Sequence, residues 1–198
     1  MNGLRKAGVA LVLGMVAMPL AAQLGTVGET FLAAVREQNG SKAMELIDGR
    51  GSTVLNYRGA KGETALHVVT RARSIDWLAF MLGKGADPDV GDAIGDTPLA
   101  IAARLGFVEG ARTLLGVRAK VDLANRRGET PLIIAVQQRQ PVIVRLLLEA
   151  GADPSKTDHA AGFSARDYAK QDRRSTDMLK LIDSVKPAKR TIVGPSIR

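Results

Sequence analysis

One hexapeptide recurs along the chain at a fixed spacing. It reads GETALH at Gly62–His67, GDTPLA at Gly95–Ala100 and GETPLI at Gly128–Ile133, so its three glycines are evenly spaced. A second marker, Gly-Ala-Asp-Pro, stands at Gly85–Pro88 and again two periods later at Gly151–Pro154. Self-similarity with a period of roughly 20 to 50 residues is the signature of a repeat architecture. One structural unit therefore recurs at least three times.

Each unit is predicted to form two short helices followed by an extended linker. In the unit that begins at Gly95, Thr97 is suited to cap a helix through its hydroxyl, and Pro98 occupies the first helical position, where a missing N–H costs nothing. Gly106 is able to end that helix in the left-handed conformation, and a second helix is predicted over Val108–Leu115. Helices this short are marginally stable alone, so their apolar faces must be buried by stacking against neighbouring units.

These markers resemble those of ankyrin repeats, whose 33-residue unit carries a Gly-x-Thr-Pro-Leu-His signature and a Gly-Ala-Asp ending. The resemblance covers about residues 28–185. It implies an all-α solenoid of stacked helix pairs with β-hairpin-like linkers. It divides the chain into an N-terminal cap, three internal units and a C-terminal cap, at 28–61, 62–94, 95–127, 128–161 and 162–185. In the N-terminal cap we expect helices at Phe31–Gln38 and Ser41–Ile47.

The chain departs from the family pattern at two positions of the unit. The signature histidine is present only as His67, because alanine and isoleucine replace it in the next two units. The resemblance implies that this histidine joins neighbouring units by hydrogen bonds, so we expect a thin network. The helix-ending position of Gly106 is occupied by arginine in the flanking units, at Arg73 and Arg139. A left-handed residue other than glycine costs on the order of 1 kcal/mol, so we expect a less stable array than an idealised one.

The composition suits a packed helical array and offers little for catalysis. Hydrophobic residues make up 45% of the 198 residues and aromatic residues only 4%, which favours an aliphatic, alanine-rich core. There are no cysteines, and the two histidines, His67 and His159, have no neighbouring ligands to complete a metal site. The chain has no P-loop, dinucleotide-binding glycine motif or Gly-x-Ser-x-Gly motif. We therefore predict a non-enzymatic protein with no catalytic residues, no cofactor and no metal.

Three acidic residues, Glu63, Asp96 and Glu129, recur at the same position of successive units. Adjacent carboxylates can perform acid–base catalysis. Stacked units, however, are separated by roughly 8–10 Å, the usual distance between packed helices. An acidic residue at the start of a helix is also favoured by the helix dipole. We therefore interpret the row as structural.

The first 22 residues have the organisation of a secretory signal peptide. A basic pair precedes the apolar run Ala7–Met18, and the small pair Ala21–Ala22 offers a cleavage site after its second residue. The run is shorter than the about 20 apolar residues that a spanning helix needs. We expect cleavage and export of an ankyrin-repeat domain at 23–185, either to a bacterial periplasm or out of the cell. The alternative is a membrane-tethered adaptor, anchored in the inner membrane, that keeps this segment.

The distribution of charge and the family resemblance together suggest a partner surface. The formal net charge is +8, and residues 101–198 contain 18 Lys and Arg against 10 Asp and Glu. A basic region attracts acidic partners, whereas nucleic-acid binding is disfavoured because interleaved aromatic residues are lacking. We expect a disordered basic tail at 186–198 and a monomer.

In ankyrin domains the linker tips and the exposed face of each first helix bind the partner. The resemblance therefore implies a protein partner, which we expect to have an acidic surface, in a scaffold, chaperone-like or inhibitory role. The residues predicted to contact it are Arg58, Lys61, Arg71, Ile94, Asp96, Arg104, Leu105, Arg126, Arg127, Gln137 and Gln138.

Overall fold

The computed structural model describes residues 20–50, 52–172 and 176–185. These residues form eleven helices and no strand. The helices are α1 Leu20–Arg36, α2 Gly40–Arg50, α3 Ser52–Leu55, α4 Ala65–Arg71, α5 Ile75–Gly83, α6 Pro98–Leu105, α7 Val108–Gly116, α8 Pro131–Gln137, α9 Pro141–Glu149, α10 Ala165–Gln171 and α11 Thr176–Ser184. The predicted all-α architecture of helix pairs is confirmed.

The helices stack in two layers. The first helices of the units, α1, α4, α6, α8 and α10, pack successively against one another, and the second helices α5, α7, α9 and α11 do the same. The signature leucines Leu66, Leu99 and Leu132 are at most 1% exposed, so they lie at the centre of the stack. Burial of each such side chain stabilises the fold by about 1.5–3 kcal/mol relative to exposure. The core thus runs continuously from one unit to the next.

The predicted start and end signals act as the sequence indicates. Thr97 Oγ1 accepts a hydrogen bond from the Ala100 N–H at 3.2 Å, and Pro98 is the first residue of α6. Thr130 caps α8 in the same way. Gly106 ends α6 with φ 66°. The repeated Thr-Pro therefore begins one helix in each of these units.

The N-terminal cap begins earlier than predicted. Its first helix, α1, already includes Leu20, well before the predicted start at Phe31, and residues 20–30 contain no proline that would interrupt it. Gly28 within α1 serves packing, since a Cβ there would lie 2.2 Å from the ring of Tyr57. The additional short helix α3 follows α2.

The non-glycine residues that end first helices do adopt the left-handed conformation. Arg73 and Arg139 have φ values of 54° and 53°. Both side chains reach the equivalent position of the next unit. Arg73 Nη2 donates to Gly106 O at 3.0 Å, and Arg139 donates to both carboxylate oxygens of Asp172 at 2.6 and 3.0 Å. Contacts between units thus offset part of the backbone strain.

The linkers of successive units are joined to one another near their starts. In three successive units a side-chain oxygen near the start of the linker accepts a backbone N–H from the following unit. The acceptors Asn56, Asp89 and Asp122 occupy the same position of their units, and their donors are Asp87, Lys120 and Asp153 at 2.8, 2.8 and 3.1 Å. This ladder fixes the register of each unit on the next.

Two predictions concern the ends of the chain. Residues 1–19 of the expected signal peptide and the expected tail at 186–198 lie outside the described residues. The expected cut after Ala22 falls within α1. Among the described residues, no helix has both the length and the apolar character needed to cross a bilayer.

Thr70 provides a stability prediction. Its hydroxyl is fully buried in α4 and has no hydrogen-bond partner in the described part of the chain. The equivalent residue two units later is Val136, which is also buried. Replacing Thr70 by valine keeps the side-chain shape and removes an unsatisfied polar group, so the free energy of unfolding should rise by about 1 kcal/mol. Thermal unfolding should then shift upwards by roughly 2–4 °C.

The control for this prediction is Thr70→Ser, which retains the hydroxyl and loses a buried methyl group. That variant should be less stable than the parent. A Thr70→Val protein no more stable than the parent would show that the hydroxyl has found a partner in solution.

Candidate functional site: the hairpin tips and first helices

The linkers fold into hairpin turns whose tips are bonded to one another. Within a tip, the Asp92 N–H donates to the Asp96 carbonyl at 3.0 Å, and Asn125 bonds to Glu129 in the same way. Successive tips are joined by N–H groups of Ala93, Arg126 and His159, which donate to carbonyls of Lys61, Ile94 and Arg127 at 2.9, 3.0 and 2.7 Å. The tips therefore form one continuous edge along the array.

Glycine is required at the tips for two reasons. Gly62, Gly95 and Gly128 have φ values of 67°, 84° and 77°, which other residues rarely adopt. A Cβ on Gly95 would also lie 2.9 Å from the Arg126 nitrogen of the next tip. The glycine of the recurring hexapeptide thus permits both the turn and the close approach of neighbouring tips.

The row of acids is buried, which corrects the prediction that Asp96 lies on the partner-binding surface. Asp96 is only 2% exposed, and Glu63 and Glu129 are 7% and 8% exposed. Each precedes the capping threonine and is covered by the folded tip. Asp96 accepts hydrogen bonds from Arg104 at 2.7 Å and from Asn125 at 2.8 Å. The row of acids therefore lies beneath the surface of the tips, where it holds neighbouring side chains in place and is not available to contact a partner.

Buried carboxylates of the tips engage four arginines, three of which were predicted to contact a partner. Each arginine covers one carboxylate: Arg36 covers Glu63, Arg71 covers Asp92, Arg104 covers Asp96 and Arg127 covers Glu129, at 2.7, 2.5, 2.7 and 2.8 Å. The four guanidinium groups remain between one third and three fifths exposed. Each guanidinium group therefore has N–H donors available to a partner, while its ion pair with the carboxylate fixes its position.

The other predicted residues lie on the same surface and are exposed, except Gln137, whose side chain is half-buried and hydrogen-bonded to Tyr168. Arg58, Lys61 and Arg126 are exposed and form no ion pair with any residue that the structure describes. Ile94 at the middle tip is 54% exposed and Leu105 at the end of α6 is 38% exposed. Gln138 is exposed and its neighbour Gln137 is half-buried, both at the end of α8. The surface combines free cations with two aliphatic side chains.

Sequence reasoning missed a second polar row beneath the tips. Asp92, Asn125 and Asp158 share one position of successive units and are at most 6% exposed. Asn125 is fully satisfied: its Oδ1 accepts from the N–H groups of Arg127 and Glu129 at 2.9 and 3.0 Å. Its Nδ2 donates to Asp96 and Glu129, both at 2.8 Å. The signal available was the recurrence of an Asx residue at the same position of three successive units, two of which stand four positions before Asp96 and Glu129.

The expected histidine contact joins two units at His67. Its Nδ1 accepts from the Thr64 N–H at 3.0 Å, so the proton is on Nε2, which donates to Asp96 O at 2.9 Å. Thr64 Oγ1 lies 2.9 Å from the same Nδ1. The ring is fully buried, and this burial lowers the pKa of His67 below its usual value. The neutral imidazole therefore links the two hairpins.

The described residues hold no group of three or more His, Cys, Asp or Glu side chains placed to bind a metal ion. The buried carboxylates of Glu63, Asp92, Asp96 and Glu129 are instead paired with arginines. Although burial raises the pKa of Glu63, backbone hydrogen bonds and Arg36 outweigh that effect and leave its pKa below the usual value. Glu63 is thus held ionised as a structural group.

Stacked helix pairs with a bonded edge of hairpin tips define a solenoid repeat protein. A family model described as ankyrin repeats (3 copies) matches residues 21–125 and 66–158. The chain belongs to the ankyrin-repeat family. Ankyrin repeats indicate a scaffold for protein–protein interaction, and proteins of this kind are typically non-enzymatic binding modules. No curated protein matches the chain.

Proposed function

We propose that this is an exported binding protein that holds a protein partner with an acidic surface against its tips and first helices. The observation that supports this most is the surface chemistry of the tips. Their acidic residues are buried, whereas Arg58, Lys61 and Arg126 are exposed and unpaired within the described structure. Arginine beside an exposed aliphatic side chain such as Ile94 is a composition common at binding hot spots. Whether the protein acts as a scaffold, as a chaperone-like partner or as an inhibitor depends on the partner that it binds.

The proposal is tested by affinity capture from the source cells with the full-length chain. One variant reverses the three unpaired tip cations and therefore leaves the buried ion pairs intact: Arg58→Glu, Lys61→Glu and Arg126→Glu. A matched control reverses three exposed cations of the second-helix layer and has the same net charge. Its changes are Lys84→Glu at the end of α5, Arg112→Glu in α7 and Arg145→Glu in α9. A partner should be captured by the parent and by the control, and lost with the tip variant.

Equal loss in both variants would contradict the proposed surface and point to a general charge effect. Equal retention in both would place the binding site elsewhere. Export is tested separately by the mass of the purified native protein. Loss of the first 22 residues supports export, whereas the full-length mass supports the membrane-tethered alternative.

A further inference from the structure

Three residues, Lys61, Ile94 and Arg127, occupy the same turn position in successive tips. The Lys61 carbonyl accepts from the N–H of Ala93, the residue before Ile94, and the Ile94 carbonyl accepts from the N–H of Arg126, the residue before Arg127. Each residue of this tip row is therefore one unit away from the next, about 8–10 Å, the distance between stacked helices.

The charge that the tip row presents is entirely positive. The tips comprise residues 58–63, 91–96, 124–129 and 157–162. Their acidic residues are Glu63, Asp92, Asp96, Glu129 and Asp158, and each of these is at most 8% exposed. In contrast, Lys61 is exposed at one end of the row, and Arg126 and Arg127 are exposed at the other. A partner that approaches the tips thus meets a cation, an aliphatic side chain and a cation.

We infer that the tip row recognises an extended acidic segment in which one aliphatic residue lies midway between two acidic residues, each three positions away. In the polyproline II conformation an extended chain advances about 3.1 Å per residue with three residues per turn. Side chains three positions apart therefore share one face and lie about 9 Å apart, which matches one unit. The aliphatic residue packs on Ile94, and the two carboxylates pair with Lys61 and with Arg126 or Arg127. This inference rests on the proposed function and specifies the chemistry of the partner.

The tip row is poorly suited to a nucleic acid. A single strand is held by aromatic stacking platforms as well as by cations, and neither the three residues of the row nor the neighbouring Arg126 is aromatic. The central residue is instead Ile94, which is 54% exposed and gains nothing from a phosphate backbone. An aliphatic side chain held between cations favours a peptide whose own aliphatic side chain is flanked by acids.

The test uses the full-length chain and a fluorescent peptide with the core Asp-Ser-Thr-Leu-Ser-Thr-Asp, measured by fluorescence anisotropy. A peptide of the same composition with adjacent aspartates is the control for charge alone. Replacing the leucine by serine, or Ile94 by serine, should weaken binding by about tenfold, and the two changes together should add little, because they remove the same contact.

A charge exchange tests the ends of the row. The Lys61→Glu change should lower the affinity for the parent peptide by about threefold or more, because it replaces one exposed ion pair with a repulsion between like charges. A peptide with one terminal aspartate changed to lysine should recover that loss with the Lys61→Glu protein only. Far-UV circular dichroism confirms that the Ile94→Ser and Lys61→Glu proteins remain folded.

Equal affinity for the core peptide and the rearranged control would overturn the inference. A single-stranded oligonucleotide that binds more tightly than the peptide and displaces it would also overturn it, in favour of nucleic acid. If the peptides fail while the tip variant still loses a captured protein, the proposed function stands and only this spacing is wrong. If capture shows no dependence on the tips, the proposed function itself fails.

Discussion

Replacement of His67 by alanine should lower the free energy of unfolding by about 3 kcal/mol. The imidazole is fully buried, accepts from the Thr64 N–H and donates to the Asp96 carbonyl. Alanine leaves the Thr64 N–H unsatisfied, removes one of the two hydrogen bonds to the Asp96 carbonyl and creates a cavity. Urea unfolding followed by circular dichroism measures the loss. The fluorescence of Trp77, the single tryptophan, reports the unit that contains His67.

His67 also predicts a pH dependence. Its pKa is lowered in the folded protein by burial, so the folded state binds fewer protons than the unfolded state, whose histidine titrates near 6.5. The free energy of unfolding therefore rises with pH through this window. The contribution is fully present above about pH 7.5 and should fall as the pH drops from about 7.5 to 5.5. The His67→Ala protein should lack this slope.

The control for both measurements is His159→Ala. His159 is exposed at the last tip, so its side chain should contribute less than about 0.5 kcal/mol and the pH slope should persist. Contributions from Glu63 and other carboxyls with lowered pKa values are lost at lower pH, near and below about 4.5. A slope between pH 7.5 and 5.5 that survives in the His67→Ala protein would contradict the assignment.

Replacement of Asn125 by alanine should cost about 3 kcal/mol as well. Its carboxamide is 5% exposed and uses both donors and both acceptors. Removing it leaves two backbone N–H groups unsatisfied and deprives the buried carboxylates of Asp96 and Glu129 of a shared donor. The loss is measured by urea unfolding at neutral pH.

Asn125→Asp separates the loss of the donor from the loss of volume. The equivalent residues of the flanking tips are Asp92 and Asp158, so the turn itself accepts a carboxylate. At Asn125, however, the replaced nitrogen faces the carboxylates of Asp96 and Glu129 at 2.8 Å. The variant should be destabilised at neutral pH and should partly recover in acid, when a carboxyl is protonated. A stable Asn125→Asp protein would show that the shared donor is unimportant.

The period of the sequence predicted most of the fold, and the local signals explain why. The pair Thr97–Pro98 and the residue Gly106 act within one helix, through interactions of neighbouring residues, so their effect can be derived from the sequence. The start of α1 was predicted too late, because residues 20–30 include Gly25 and Gly28, which disfavour helix locally, whereas packing of α1 against α2 and α4 favours it. The surface residues were harder to predict from the sequence, because the exposure of a side chain depends on how the tip folds over its own carboxylates.

Sequence alone determined the repeated unit, its helix pair, the glycine turn and the absence of cysteine chemistry. Only the tertiary structure decided which charged residues are free. Asp96 and Lys61 look alike in the sequence as polar residues of a tip, yet Asp96 is 2% exposed and paired, whereas Lys61 is exposed. The partner of Asp96 in the polar network, Asn125, is 29 residues away along the chain and is brought close by stacking. A one-dimensional pattern records residue types and spacing, but burial and pairing arise only when successive units meet.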